Sequence, residues 1–165
     1  MNIKKVILFI LIGWSSSIQA QTELSTFILV RHAEKVDNSA DPDINQQGSE
    51  RAIRLAALLK ETKLTHIYAS DFKRTRLTVK AVSDEHQLTP EIYNSKKIEN
   101  LAMDLQRLPA GSTVLVVGHT NTTPQLANLL LGKPTYRAFE ESDYGNIIVV
   151  TTGKKQSAHS LLLRF

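Results

Sequence analysis

Phe27-Ile28-Leu29-Val30-Arg31-His32 decides the fold. Consecutive apolar residues, branched at 28 and 30, predict a strand over 26–30 buried on both faces, ending on a cation and an imidazole. The same order returns at Ile67-Tyr68-Ala69, followed by Ser70-Asp71-Phe72-Lys73-Arg74, and at Val114-Leu115-Val116-Val117, followed by Gly118-His119-Thr120. Amphipathic stretches separate these runs. Residues 47–60 predict a helix whose apolar side is Ile53, Leu55, Ala56, Leu58 and Leu59, and further helices are expected over 72–86, 98–108 and 123–131. A short strand is expected at 91–93, and 146–152 with 159–163 predict two closing strands joined by a hairpin at Gly153-Lys154. Strands alternating with helices predict an α/β sandwich with a mostly parallel sheet.

The composition fits this expectation. A chain of 165 residues with 42% hydrophobic and 22% charged residues has the length and make-up of one globular domain. Its first twenty residues read differently: Lys4-Lys5, an apolar run from Val6 to Trp14, then Ser15-Ser16-Ser17 and Ile18-Gln19-Ala20. That order predicts a secretory signal peptide over 1–20, a mature domain over 21–165 and a secreted, periplasmic location. The run is about half of the roughly 20 apolar residues a membrane helix needs, so no stable membrane span is expected after cleavage. Without Lys4 and Lys5 the 20 basic residues become 18 against 16 acidic, a balance of +2. This is no nucleic-acid signature, and Lys96-Lys97 and Lys154-Lys155 read as solvated surface pairs. The absence of cysteine excludes disulfides, thiolate nucleophiles and lipidation after the signal.

In open α/β sheets ligands collect at the carboxyl ends of the strands, which here would bring together Arg31, His32, Arg74 and His119. These residue types suit a phosphoryl group. Guanidinium groups contact its equatorial oxygens in pairs, a neutral imidazole can attack phosphorus, and a protonated one can donate to the transferring oxygens. His32 is the expected nucleophile, Arg31 and Arg74 the oxygen ligands, and His119 the protonated donor. Free N–H groups at Thr120 and Asn121 could add anion contacts. His66, His86 and His159 have no such company and read as structural or solvent-facing. Arg51 and Arg54 read as solvated helix charges, Arg76 as the partner of a surface acid, and Ser70 as a helix cap ahead of the alternative of orienting an arginine. Gly132-Lys133-Pro134-Thr135 is a turn, since it lacks the glycine spacing of a nucleotide loop.

Arg31-His32-Ala33-Glu34-Lys35, Asn45 to Ala52, Ser70-Asp71-Phe72-Lys73-Arg74-Thr75-Arg76-Leu77-Thr78 and Val117-Gly118-His119-Thr120 together resemble the ordered signatures of the histidine phosphatase superfamily, the phosphoglycerate mutase-like fold. The resemblance implies a three-layer α/β/α sandwich, a phosphohistidine intermediate on His32, a phosphate pocket of Arg31, Arg74 and His119, and no metal or other cofactor. The small size and the Arg31 to Lys35 form look most like compact members related to phosphohistidine phosphatases. Larger members carry a general acid in an insertion that has no clear counterpart here. Glu99, in roughly the corresponding region, and Glu34, beside the nucleophile, are the two candidates.

The expected substrate is a small-molecule or envelope phosphate. A site without a strong acid favours labile phosphates such as phosphohistidine or an acyl phosphate, whereas an exported protein meets envelope or nutrient phosphates. Two rival functions remain at this point. A metal-dependent hydrolase using His32 and His119 lacks a dense ligand motif and would set two arginines beside a cation. A non-catalytic module would keep the phosphate pocket and bind a ligand or partner without turnover.

Overall fold

Strand β1 (Ser25–Arg31) runs through the middle of the sheet, with Phe27, Leu29 and Val30 almost wholly buried. In the computed structural model, which describes residues 24–153 and 156–165, the elements follow as α1 (Gln46–Leu59), β2 (His66–Ser70), α2 (Lys73–His86), β3 (Glu91–Tyr93), α3 (Ile98–Arg107), β4 (Thr113–Gly118), α4 (Thr122–Leu131), β5 (Asn146–Gly153) and β6 (Gln156–Arg164). The expected signal segment, 1–20, and Lys154 of the expected hairpin lie outside the described residues.

The six strands form one sheet in the order β3-β2-β4-β1-β5-β6. The first four are parallel to one another, whereas β5 runs antiparallel to β1 and β6 antiparallel to β5. The mostly parallel sheet is therefore as expected. Successive strand side chains point to opposite faces, and both faces of β1 are covered. Ile28 and Val30 join Leu55, Leu59, Val79 and Val82 under α1 and α2. Phe27 and Leu29 join Leu101, Leu105, Leu126 and Leu130 under α3 and α4. Full burial of such a side chain is worth about 1.5–3 kcal/mol, and this two-sided burial demands the unbroken apolar run.

One expected helix face needs correction. Along α1 the buried residues are Gly48, Ala52, Leu55 and Leu59, spaced four, three and four apart, as one face of a helix requires. Ile53 and Leu58 fall off that face and are 63% and 55% exposed. At the start of α1, Asn45 caps the helix by accepting from the Gly48 N–H at 2.8 Å. Gly48 also lets α1 approach the loop after β1, since a Cβ there would lie 2.5 Å from the Glu34 carbonyl oxygen. The stretch at 132–135 is a turn as expected, with Gly132 ending α4 at φ 68°. Among the described residues no helix is long and apolar enough to cross a membrane.

Candidate active site

Strand register assembles the site. Arg31 on β1 lies opposite Gly118 on β4, and Ala69 on β2 lies opposite Val117, so the three strands end in one row. The His32 N–H extends the ladder by donating to the Gly118 carbonyl at 2.9 Å. His32 and His119 consequently stand side by side, their ring centroids 5.4 Å apart. Phe72 meets His119 edge-on at 5.0 Å, and the Arg74 guanidinium carbon lies 4.3 Å from the Phe72 ring centroid. His32, Arg74, His119 and Thr120, all expected from the sequence, line one open cleft of about 400 Å³ with Lys35, Phe72, Ser95, Lys96 and Glu141.

His32 is buried and neutral. Burial lowers its pKa most, the Ala33 carbonyl opposes this, and Arg31, His119 and Arg74 add cationic repulsion, leaving it at about 3. Nδ1 lies 2.8 Å from the Ala33 carbonyl oxygen, which can only accept, so Nδ1 carries the proton and Nε2 keeps its lone pair. A nucleophile needs this tautomer, and it is set by the backbone of the next residue.

His119 departs from its expected role as a protonated donor. Burial and the charges of Arg74 and Arg31 lower its pKa to about 4, so the ring is neutral near pH 7. Arg74 Nη2 lies 3.3 Å from Nδ1, and an arginine can only donate, so Nδ1 is the acceptor. Nε2–H then donates to Ser70 Oγ at 2.8 Å, and that hydroxyl donates onward to Thr75 Oγ1 at 3.2 Å. Ser70 is therefore no helix cap, as the sequence suggested, but a wholly buried support for His119. The backbone of His119 is held as well, its N–H donating to Thr122 Oγ1 at 3.0 Å. Gly118 makes this close packing possible, because a Cβ there would lie 2.9 Å from the hydroxyls of Thr122 and Thr123.

Arg31 also differs from expectation. Its guanidinium is turned toward the segment after α4: Nη1 donates to the carbonyls of Glu140, Glu141 and Asp143 at 3.0, 2.9 and 3.1 Å, and Nη2 donates to Glu141 Oε2 at 2.9 Å. Tyr144 lies across it, the ring centroid 4.0 Å from Cζ, and also meets His32 edge-on at 6.0 Å. In this geometry Arg31 anchors the Glu140 to Tyr144 strap and does not itself line the cleft. No motif marks Glu140 to Tyr144 in the sequence, because its role comes from long-range packing onto Arg31.

Of the two expected acids, neither lines the cleft. Glu34 is engaged by Arg51, whose Nε donates to both carboxylate oxygens at 2.9 and 3.0 Å and whose Nη2 donates to Oε1 at 2.6 Å. Burial pushes the Glu34 carboxyl up, but the Arg51 hydrogen bonds and charge outweigh this and hold it below its usual range. An ionised carboxylate so held is a poor proton donor. Arg51 is thus no solvated helix charge, and it also ties down the C-terminus by donating to the Phe165 carbonyl at 2.7 Å. Glu99 is exposed and accepts from Gln125 at 3.1 Å. The carboxylate that does line the cleft is Glu141, which the sequence reading passed over and which also accepts from Thr120 Oγ1 at 3.2 Å. Arg76 pairs with the surface acid Asp71, as expected. His66, His86 and His159 lie away from the cleft.

Among the described residues no group of three or more His, Asp or Glu side chains could hold a metal ion. Residues 27–95 match the sequence profile of the histidine phosphatase superfamily, branch 1. A metal-independent phosphoserine phosphatase of Arabidopsis thaliana is 33% identical over 73 residues, 39% of this chain and 31% of that protein, so the match spans about a third of that relative's length. Solved structures share the fold. The protein histidine phosphatase SixA complexed with tungstate superposes with a TM-score of 0.70 at 18% identity, over 84% of this chain and 96% of that one. The alpha-ribazole phosphatase of Shigella flexneri gives 0.68 at 15%, over 85% and 96%. A phosphoglycerate mutase of Plasmodium falciparum gives 0.63 at 20%, over 87% and 91%.

Proposed function

The chain carries the histidine phosphatase superfamily signature over residues 27–95, within that superfamily's fold, and from this premise we propose that it is a metal-independent phosphatase acting through a phosphohistidine on His32. The observation that supports this most is the His32 tautomer, with the proton on Nδ1 facing the Ala33 carbonyl and a lone pair on Nε2 inside a cleft that Arg74 and His119 also line. In the first step Nε2 forms the N–P bond, the bridging O–P bond breaks, and the leaving oxygen takes up a proton. In the second step water adds to phosphorus, the N–P bond breaks, and inorganic phosphate leaves. Arg74 neutralises the equatorial oxygens, and a bound dianion would favour the imidazolium form of His119. With Glu34 and Glu99 outside the cleft, substrates with easily released groups fit best, and Glu141 is the carboxylate that lines it.

The test is rapid acid and alkaline quench of the protein mixed with radiolabelled substrate. An alkali-stable, acid-labile phosphoenzyme, absent in His32→Gln and unaffected by chelators, is expected. Full turnover by His32→Gln would sink the proposal. The engagement of Arg31 by the strap favours a second reading, a phosphate-binding module without turnover. That reading predicts vanadate binding with no release of phosphate from esters, phosphohistidine or acyl phosphates. Export through residues 1–20 and a small-molecule or envelope phosphate as substrate belong to the same proposal. Fractionation of cells expressing the full chain tests the location.

A further inference from the structure

Beyond His32 the chain leaves the ladder. Val30 is the last residue of β1 in register with β5, and the His32 N–H donates to the Gly118 carbonyl, so the Ala33 N–H comes after the strand pairing has ended. Ala33 is wholly buried, and a buried N–H needs a partner other than bulk water. That partner is the Thr78 hydroxyl in α2, 45 positions on, at 2.8 Å. Thr78 is itself buried, in the part of α2 that also buries Thr75, Val79 and Val82. A hydroxyl has a single proton. Thr78 gives it to the Arg74 carbonyl at 2.6 Å, which leaves a lone pair for the Ala33 N–H.

The bond to Arg74 is local, of the kind a helical threonine makes to the carbonyl four residues back. The bond to Ala33 is not. It holds Ala33 by its N–H, while the carbonyl of the same residue holds His32 Nδ1 at 2.8 Å. One oxygen thus joins the residue that orients the imidazole to the backbone of Arg74, whose side chain lines the same cleft as His32. Resting on the phosphatase reading, we infer that Thr78 is a positioning residue, whose hydroxyl locks Ala33 against α2 and so keeps the His32 ring turned with Nε2 open to the cleft. Without that hydroxyl the Ala33 N–H is buried and unpaired. The backbone relieves this by rotating toward another acceptor, which carries the Ala33 carbonyl away from Nδ1.

Thr78→Val removes the hydroxyl and keeps the β-branched shape, whereas Thr78→Ser keeps the hydroxyl. For p-nitrophenyl phosphate, kcat should fall at least about tenfold in the valine variant with KM changed less than about twofold, and the serine variant should stay within about threefold of the unaltered protein. Nitrogen-15 shifts of His32 should show the Nδ1–H tautomer in the unaltered and serine proteins and a mixture in the valine variant. A valine variant with a lower Tm but unchanged kcat and an unchanged His32 tautomer overturns the inference, since Thr78 would then serve packing alone. The shifts need no turnover, so the two readings fail separately. A protein that forms no phosphoenzyme loses the phosphatase reading, while the tautomer in the valine variant still decides the role of Thr78. Should the valine variant not fold, hydrogen exchange in the unaltered protein gives the answer. The Ala33 N–H should exchange at least about a hundredfold more slowly than the amides of the exposed residues Asn38 and Ala40, and exchange at their rate overturns the tie.

Discussion

Replacing Ser70 by alanine removes the hydroxyl that orients His119, and the cost can be worked out from the geometry. His119 Nε2–H donates to Ser70 Oγ at 2.8 Å while Nδ1 faces the Arg74 donor at 3.3 Å. Without the hydroxyl, Nε2–H has lost its partner in a packed site, a loss of about 1–3 kcal/mol for a buried donor. Moving the proton to Nδ1 offers no escape, because that nitrogen would then point a donor at a donor. The ring must turn instead, and in turning it releases Arg74. With tenfold in rate per 1.4 kcal/mol, kcat/KM for p-nitrophenyl phosphate should fall roughly 5- to 140-fold, mostly in kcat. Nitrogen-15 shifts of His119 should move from the Nε2–H form to a mixture of tautomers. A lowered Tm with unchanged kcat/KM and unchanged His119 shifts would refute the reasoning, since it would make Ser70 a packing residue only.

Other consequences can be checked independently. The pKa values of His32 and His119 are lowered on folding to about 3 and about 4, so the unfolded chain binds protons that the folded chain refuses. Their contribution is intact above about pH 6.5 and is lost as pH falls toward those values, so Tm should drop over that window, and less steeply in His32→Gln; a flat profile would contradict the neutral pair. Glu141 holds Arg31 Nη2 through a carboxylate that is 76% exposed, so Glu141→Ala should free Nη2 at little structural cost while the three backbone carbonyls keep Nη1. Inhibition by inorganic phosphate should tighten about three- to tenfold, and an unchanged inhibition constant would show that Arg31 never turns to the anion. Arg51→Ala leaves Glu34 without its partner and frees the chain end at Phe165, and should cost about 2–3 kcal/mol in urea unfolding, the lower side for a pair that is only partly buried. A loss under about 0.5 kcal/mol would return Arg51 to a surface role.

Much of this protein is legible one segment at a time. A strand buried on both faces must be a continuous apolar run, and β1 and β4 announce themselves in this way at Phe27 to Val30 and Val114 to Val117. A parallel sheet then places whatever follows each run on one rim, so the sequence alone gathers His32, Arg74 and His119. The face of α1 was harder to read. Ile53 and Leu58 have the hydrophobicity of core residues, and only the choice of which helix face turns to the sheet leaves them outside.

What the chain order alone determined is the fold class, the carboxyl-end rim and the residues gathered there, because these depend on local apolar runs and on what adjoins them. What only the tertiary structure decided is the state of those residues. The tautomers of His32 and His119, the engagement of Arg31 by a strap more than a hundred positions away, the neutralisation of Glu34 by Arg51 and the tie from Thr78 to Ala33 are all pairings across the chain. The physical reason is that burial and hydrogen-bond partners set protonation and charge, and neither exists until distant segments meet.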